Sequence, residues 1–149
     1  RMLRYTYGIE TSNKFDESKP QHVGLEACRY RTIMKDGIPV VHVLGLFFRF
    51  AQVGTSVAVD HKIKHSFWPL DEAQHSVGFN LYATQKDSAI SVTEDGMQGR
   101  GSLTIQSDMG RPRSDREISC EFCFADTEIV VTVQDREGVK QTHMIDFNV

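Results

Sequence analysis

The sequence predicts an all-β fold, an antiparallel β-sandwich in one domain that spans residues 1–149. Apolar residues alternate with polar ones in short runs that are rich in β-branched and aromatic side chains. Helical periodicity is almost absent. Turn residues separate the runs at intervals near the roughly 8–12 residues that are typical of sandwiches.

The N-terminal third holds four predicted strands and one hairpin turn. A polar stretch at residues 13–20 predicts a loop after the first strand. The pair Asp36-Gly37 between two apolar runs is a strong signal for a hairpin. The four strands are predicted at residues 3–11, 24–34, 38–44 and 46–51.

In the middle third, alternation again predicts the strands. Gly54 interrupts the chain, residues 69–74 form an acidic loop, and residues 94–96 close a short strand with a turn. Val77, Phe79 and Leu81 share one strand face because side chains alternate along a strand. The strands are predicted at residues 57–67, 76–83, 89–93 and 101–106.

The C-terminal third follows the same pattern after a loop at residues 107–116 that is rich in Arg, Ser, Gly and Pro. Cys120, Phe122 and Phe124 alternate with polar residues, and a second alternating run begins at Ile129. The last strands are predicted at residues 118–124, 128–134 and 139–147.

Composition excludes several classes of partner. The net charge is −3, so the basic excess usual in nucleic-acid-binding proteins is missing. No apolar run approaches the roughly 18 residues of a membrane span. Three cysteines leave at least one unpaired, and there is no N-x-[ST] sequon, which favours a reducing, cytoplasmic location. No signal peptide is visible. Because the chain starts at arginine instead of methionine, we expect it to be a fragment of a longer protein.

Residues that could bind metal or sugar are few. Cys120 and Cys123 have C-x-x-C spacing, but three positions apart on a strand they face opposite sides, which favours structural cysteines. His61 and His65 share a strand face that we expect to be solvated, without a third ligand. Trp68, at a strand end, is either a rim aromatic or a platform for a sugar.

The arginines of the loop at residues 107–116 could bind an anion. Acidic neighbours neutralise them locally, which favours a plain surface loop. These acidic neighbours are Asp108, Asp115 and Glu117. No nucleophile, phosphate-loop or zinc-protease motif occurs, so we expect no enzymatic activity, and a hydrolase with a site assembled across loops is the weakest hypothesis.

Several motifs, taken in order, resemble the substrate-binding β-domain of the seventy-kilodalton heat-shock protein family. The GIET of residues 8–11 resembles its opening, residues 66–82 resemble its strand, arch loop and strand, and residues 99–105 resemble a later strand. The FADTEI of residues 124–129 departs from the common turn and is similar to the divergent subfamily twelve. Residues 4–9 and 145–147 also resemble the borders of that subfamily.

Two departures from the common family pattern remain. Residues 13–45 are longer than the usual first loop and suit the insertion of subfamily twelve, with Lys35-Asp36-Gly37 inside it. Nothing helical follows Phe147, so the helical lid of common members is either trimmed from this sequence or missing, and subfamily twelve is expected to lack one. The resemblance therefore implies a sandwich of the substrate-binding type with an inserted hairpin and no lid.

The resemblance implies a stress-related, ATP-coupled molecular chaperone that binds extended apolar peptide segments of client proteins. Phe67, Val77 and Phe79 would line the peptide pocket and Ile9 would back it. Ser12 and Leu70 would arch over the peptide. Leu70 is the best of these candidates, since an apolar residue in an acidic loop has little reason to be there for the core.

The resemblance also implies a second domain and a cofactor outside this chain. An actin-like ATPase domain that binds ATP or ADP with magnesium would precede Arg1, and co-chaperones are possible partners. That domain would dock on the turns at residues 51–55 and 84–87, with Val53, Gly54, Lys86 and Asp87 as contacts; both also have the composition of plain turns. The alternative function is a lectin-like or scaffold sandwich that binds a carbohydrate or protein without ATP.

Overall fold

The computed structural model describes residues 1–147, so the last two residues of the predicted domain lie outside it. The described chain folds into nine β-strands and three short 3-10 turns. The strands are β1 (Thr6–Lys14), β2 (Tyr30–Lys35), β3 (Ile38–Ala51), β4 (His61–Phe67), β5 (Ser76–Thr84), β6 (Gln98–Gln106), β7 (Ile118–Phe124), β8 (Glu128–Gln134) and β9 (Lys140–Asp146).

The strands form two antiparallel sheets that pack as a sandwich. One sheet has five strands in the order β2-β3-β1-β5-β6, and the other has four in the order β4-β7-β8-β9. The all-β sandwich predicted from alternation is confirmed, and so is the hairpin around Asp36-Gly37, which joins β2 to β3. That hairpin extends the first sheet at its edge.

The core lies between the sheets and follows the alternation of the strands. Along β7 and β8, inward residues are buried and their neighbours are half-buried. The ring of Phe122 on β7 stacks on Phe50 of β3 with centroids 4.3 Å apart, which joins the two sheets. Apolar burial on this scale is the dominant favourable contribution to folding.

Two predicted strands, at residues 38–44 and 46–51, are a single strand. Gly45 does not end β3; it occupies a bulge, with a φ of 69° that favours glycine. There Leu44 and Gly45 together lie opposite the single residue Ser12 of β1. The sequence prediction of a break was wrong because a bulged glycine leaves the ladder continuous on both sides.

The prediction of a strand at residues 89–93 was also wrong. Only Ser91 forms an isolated bridge, to Leu46 on β3. The Glu94 carboxylate accepts hydrogen bonds from the amides of Ile90 and Ser91 at 2.6 and 2.7 Å, and so folds the segment into a turn. The turn covers the edge of β3, where the Phe47 amide donates to the Ile90 carbonyl.

Other boundaries shift at the strand ends. The first strand runs over Thr6–Lys14, so the polar residues Asn13 and Lys14 lie in β1 and not in a loop. The run predicted at 57–67 starts only at His61, and the 3-10 turn Ala27–Arg29 occupies part of the run predicted at 24–34. The polar residues Asn13 and Lys14 join a strand because the long edge of β3 is available for them to pair with.

The cysteines diverge along β7 as the spacing predicts. Cys120 is buried and Cys123 is half-buried, and burial raises the pKa of the Cys120 thiol to about 12. Within residues 1–147, no group of three His, Cys, Asp or Glu side chains is arranged to hold a metal ion. The described chain also contains no helix with the length and apolar character needed to cross a bilayer.

The face that His61 and His65 share is not simply solvated, which corrects the expectation from sequence. The His65 ring lies 5.0 Å from the rings of both Phe48 and Phe50, edge to face. The His61 ring stacks on Phe124 at 6.5 Å. Both histidines therefore cover the aromatic edge of the core while remaining exposed on one side.

Candidate functional site

A cleft opens where strands β1 and β5 stop pairing. Their register runs from Thr6↔Thr84 to Ile9↔Leu81 and then ends, although both strands continue. Beyond that point β1 pairs only with β3, and β5 pairs only with β6. Two strands of one sheet therefore diverge and expose the edges between them, which is the geometry needed to accept an extended chain.

The cleft has a volume of about 350 Å³. All six residues predicted from sequence to contact a peptide line it, although they come from three separate chain segments. These are Ile9, Ser12, Phe67, Leu70, Val77 and Phe79. The structure thus brings the predicted residues together at one place, and what they bind stays a prediction.

The five apolar residues of this set divide into a floor and a rim. Ile9 and Phe79 are 1% and 3% exposed and belong to the core, as does Val77. Phe67 at the end of β4 and Leu70 in the following loop are half-buried. The floor is therefore core that happens to face the cleft, while the rim residues have apolar surface left over for a ligand.

The loop at residues 68–75, which we call the arch loop, is held by hydrogen bonds from its own glutamine. Gln74 Oε1 accepts from the amides of Leu70 and Asp71, at 3.0 and 3.3 Å, and Gln74 Nε2 donates to the Ser76 carbonyl. These bonds fix the turn that carries Leu70 to the edge of the cleft. Gln74 itself also lines the cleft, which sequence reasoning did not identify.

Arginines of the loop at residues 107–116 hold the arch loop from outside. Arg116 is only 9% exposed, and its guanidinium donates to the carbonyls of Glu72 and Arg111, both at 2.7 Å. Arg113 donates to the Pro69 carbonyl, and the Trp68 indole donates to the Ser114 carbonyl. The expectation of a plain surface loop was wrong for these residues, because the carbonyls of a neighbouring loop need donors.

Arg111 does behave as a solvated surface residue. It pairs with Asp108 at 3.1 Å, as the local sequence predicts, and also with Glu137 on the β8–β9 turn. Of the other two acids expected to neutralise the loop, Glu117 accepts a hydrogen bond from Ser66 instead. The loop is thus partly structural and partly a charged surface.

We expect Arg116→Met to lower the free energy of unfolding by about 1–3 kcal/mol, because two carbonyls lose a charged donor. Urea unfolding measures this loss, and amide exchange at residues 70–75 should accelerate. Arg111→Met is the matched control in the same loop, where the ion pairs are exposed and little change is expected. Equal stability of wild type and Arg116→Met would show that the arch loop does not depend on this residue.

Charged and polar groups at the cleft were missed by sequence reasoning. Glu10, Arg31 and Asn80 all line it. The Glu10 carboxylate accepts from the Asn80 amide at 3.3 Å and the Tyr82 hydroxyl at 3.4 Å. Burial and then the Glu10 charge raise the pKa of Tyr82. The alternation of side chains along β1 could have predicted the position of Glu10. Arg31 is distant in sequence from the other residues of the cleft, so only the folded structure shows that it lies there.

The two predicted docking turns lie at the opposite end of the same sheet. Ser76 begins β5 beside the cleft and Thr84 ends it, about 26 Å away at roughly 3.3 Å per residue. The Thr6 hydroxyl joins the turns: it accepts from the Val53 amide at 3.0 Å and donates to the Lys86 carbonyl at 2.7 Å. The turns therefore form one continuous surface.

Local contacts order the side of this surface that carries Lys86. Its ammonium lies 3.5 Å from Glu94, and Arg49 donates to the Asp87 carbonyl. Gly54 adopts a φ of 85° that suits glycine in the other turn. Whether another domain docks here stays a prediction.

Alignments with known proteins cover nearly the whole chain. Human heat shock 70 kDa protein 12B is 33% identical over 138 residues, which is 87% of this chain and 19% of that protein. Heat shock 70 kDa protein 12A from human and from mouse is 29% and 28% identical over 147 and 146 residues, in each case 95% of this chain and 20% of the relative. No family model matches the chain.

The chain thus spans about a fifth of the length of the curated relatives it matches. The resemblance first indicated by residues 8–11 and 124–129 is confirmed by these alignments together with the observed sandwich. Over this segment, the chain is homologous to the heat shock 70 kDa proteins 12A and 12B.

Proposed function

We propose that this chain is a peptide-binding module of a chaperone-like protein, and that an extended apolar segment of a client protein lies in the cleft between β1 and β5. The observation that carries the proposal is the divergence of the two strands after Ile9↔Leu81. A strand edge offers main-chain hydrogen bonds to any sequence, so affinity comes from the backbone and selectivity from side-chain pockets.

The lining of the cleft supports an apolar side chain as the anchor. Val77 and Phe79 project from alternate positions of β5 into the cleft, and Phe67 closes it from the other sheet. Leu70 on the arch loop lies at the rim, where it would cover an inserted side chain. Burying one such side chain contributes roughly 1.5–3 kcal/mol, which suits weak and rapidly exchanging binding.

ATP coupling belongs to the same proposal. An ATPase domain of the longer protein, using ATP or ADP with magnesium, would act through the surface formed by the turns at residues 51–55 and 84–87. Thr6, which bridges these turns, lies on β1, the strand that also forms one wall of the cleft. A shift of β1 would therefore reach both ends of the sheet, as coupling between two sites requires. Co-chaperone contact and a cytoplasmic stress role remain parts of the proposal.

Trp68 supports the second candidate function, binding of a sugar. Its side chain is 45% exposed and borders the cleft, and aromatic rings of this kind can stack on sugars. Its indole N–H donates to the Ser114 carbonyl, however, which identifies a structural role for the polar end of the ring. The peptide experiment below distinguishes the two candidates.

We expect Leu70→Asp to reduce affinity for a Leu-rich peptide at least tenfold, because a carboxylate replaces the apolar rim of the cleft. Fluorescence anisotropy with a labelled peptide measures the dissociation constant. Since Leu70 is only half-buried, the free energy of unfolding should change by no more than about 1 kcal/mol. Val59→Asp is the matched control: Val59 is 64% exposed and lies before β4, away from the cleft.

The outcomes separate the candidate functions. Loss of peptide binding in Leu70→Asp but not in Val59→Asp supports the peptide cleft. Equal affinities of both variants and wild type would move the peptide site elsewhere. The sugar-binding function would be favoured if the wild-type chain binds an oligosaccharide but no peptide at millimolar concentration, and if Trp68→Ala abolishes binding of the oligosaccharide.

A further inference from the structure

A buried histidine without hydrogen-bond partners lies beside the cleft. His42 on β3 is 3% exposed, and neither of its ring nitrogens has a hydrogen-bond partner among residues 1–147. An imidazole always carries at least one N–H donor, and burial of an unmade hydrogen bond is costly. The position therefore calls for an acceptor that the described chain does not itself supply.

Basic side chains surround His42 on the same face of the sheet. In the register of the strands, His42 lies directly opposite Lys14 on β1 and Arg31 on β2. Directly opposite residues of antiparallel strands project to one face. Lys35, four residues after Arg31 on β2, projects to that face as well. Burial, then the charges of Lys35, Arg113 and Lys14, lower the pKa of His42 to about 4.

Arg113 contributes a second donor without a partner. Its Nε is buried and makes no hydrogen bond within the described part of the chain, although its terminal nitrogen reaches the Pro69 carbonyl. Arg113, His42 and Lys35 line one cavity of about 280 Å³. Two donor side chains and an ammonium thus meet in a single small space.

None of the described residues that line this cavity carries a carboxylate. Glu72 of the arch loop accepts a hydrogen bond from the Asp36 amide at 2.6 Å. Of the ion pairs formed within residues 1–147, none involves Lys14, Lys35 or Arg113. The positive charge of the cavity is therefore not balanced by an acid of the described chain.

The cavity is continuous with the cleft. Both are lined by Ser12, Phe67 and Leu70, so the cavity lies just beyond the arch that these residues form. A peptide anchored in the cleft would therefore present a neighbouring side chain to the cavity, because successive residues of an extended chain are only about 3.3 Å apart.

We propose that the cavity formed by His42, Lys35 and Arg113, which we call the anion pocket, binds an acidic side chain of the peptide, a carboxylate or a phosphate monoester. This inference rests on the proposed peptide function. An anionic oxygen would accept hydrogen bonds from the His42 ring and Arg113 Nε, and the Lys35 ammonium would balance its charge. Charge-assisted bonds of this kind are about twice as strong as neutral ones.

The first experiment uses inorganic phosphate alone. We expect titration with phosphate to shift the imidazole NMR signals of His42 in the wild-type chain. Lys35→Gln should weaken this response at least fivefold, whereas Lys64→Gln, an equal loss of charge on the exposed side of β4, should leave it unchanged. Unchanged His42 signals at high phosphate, or equal responses in both variants, would overturn the anion pocket.

The second experiment uses three labelled peptides with one apolar core, which differ only in a flanking Gln, Glu or phosphoserine. We expect the Glu peptide to bind about tenfold more tightly than the Gln peptide. Lys35→Gln should remove this preference and leave the affinity for the Gln peptide intact. A further gain with phosphoserine identifies phosphate as the ligand, and equal affinities for Glu and phosphoserine identify a carboxylate.

The two experiments separate this inference from the proposed function. Equal binding of the Gln and Glu peptides overturns the anion pocket as a peptide subsite while the peptide cleft stands. If phosphate shifts the His42 signals but no peptide binds, the peptide function fails and the pocket binds a free anion instead. His42→Leu provides a further test, because it removes the ring donor at similar volume.

Discussion

Replacing Gly8 with alanine should strongly destabilise the domain. A Cβ at this position would lie 2.1 Å from the Phe48 carbonyl oxygen and under 3 Å from the Phe47 ring. The carbonyl belongs to β3, and between Tyr7 and Gly8 the register skips Phe50 of that strand. This bulge brings the two backbones so close that only hydrogen fits at Gly8.

The expected loss is about 3 kcal/mol or more, since relief of the clash requires β1 and β3 to separate. Chemical unfolding gives the free energy, and a chain recovered only as insoluble protein would agree in direction. Gly78→Ala is the control on the neighbouring strand β5, where an added Cβ meets nothing within 4 Å. It should be neutral or stabilising by up to about 1 kcal/mol. Similar stabilities for both variants would contradict the close approach at Gly8.

Alternation was sufficient to predict most of the sandwich because the core lies between two half-buried sheets. On β7 and β8 every second residue faces inward, so a period of two appears directly in the sequence. The prediction failed where side chains outside the strand decide the backbone. Glu94 turns residues 90–91 away from a ladder, and the bulge at Gly45 keeps β3 continuous.

The candidate site was predictable to a different extent. The resemblance pointed to six of the residues that line the cleft, because their spacing within strands and loop is a local property of the sequence, but it did not point to Glu10, Arg31 or Gln74. Arg116 and His42 act across distant segments: Arg116 bonds to Glu72, 44 positions away, and His42 meets Lys14 only through strand pairing. No local sequence pattern reveals contacts between distant segments. The balance of charges within the loop therefore led to the prediction that its arginines are exposed to solvent.

His42 also predicts how the domain responds to acid. The pKa of a histidine in an unfolded chain is near 6.5, and the native environment of His42 lowers it to about 4. Between these values the unfolded chain binds a proton at this residue and the native chain does not. Stability is therefore fully present above pH 6.5 and falls as the pH drops towards 4. The loss is about 3 kcal/mol, since one pKa unit corresponds to about 1.4 kcal/mol.

Charges on every side of the ring act in the same direction. Lys14 on β1, Arg31 and Lys35 on β2, and Arg113 from the loop over the sheet are all cations, so a proton on His42 has no partner there. Urea unfolding at pH 7 and pH 4.5 measures the loss in wild type. Carboxylates also titrate in this window, so the informative quantity is the difference from His42→Leu, which should lose markedly less stability.

If His42→Leu folds poorly, titration of the His42 ring by NMR in the wild-type chain tests the same prediction without the variant. The His42 ring should remain neutral down to about pH 4 in the wild-type chain. A midpoint near 6.5 would show that the ring reaches solvent or an acid, and would remove both the acid sensitivity and the unbalanced charge of the anion pocket. Phosphate tests the acid sensitivity and the anion pocket together, because an anion bound beside the His42 ring stabilises the imidazolium. At pH 5 it should raise the midpoint and restore part of the lost stability, while the same salt at pH 8 should have little effect on His42 protonation.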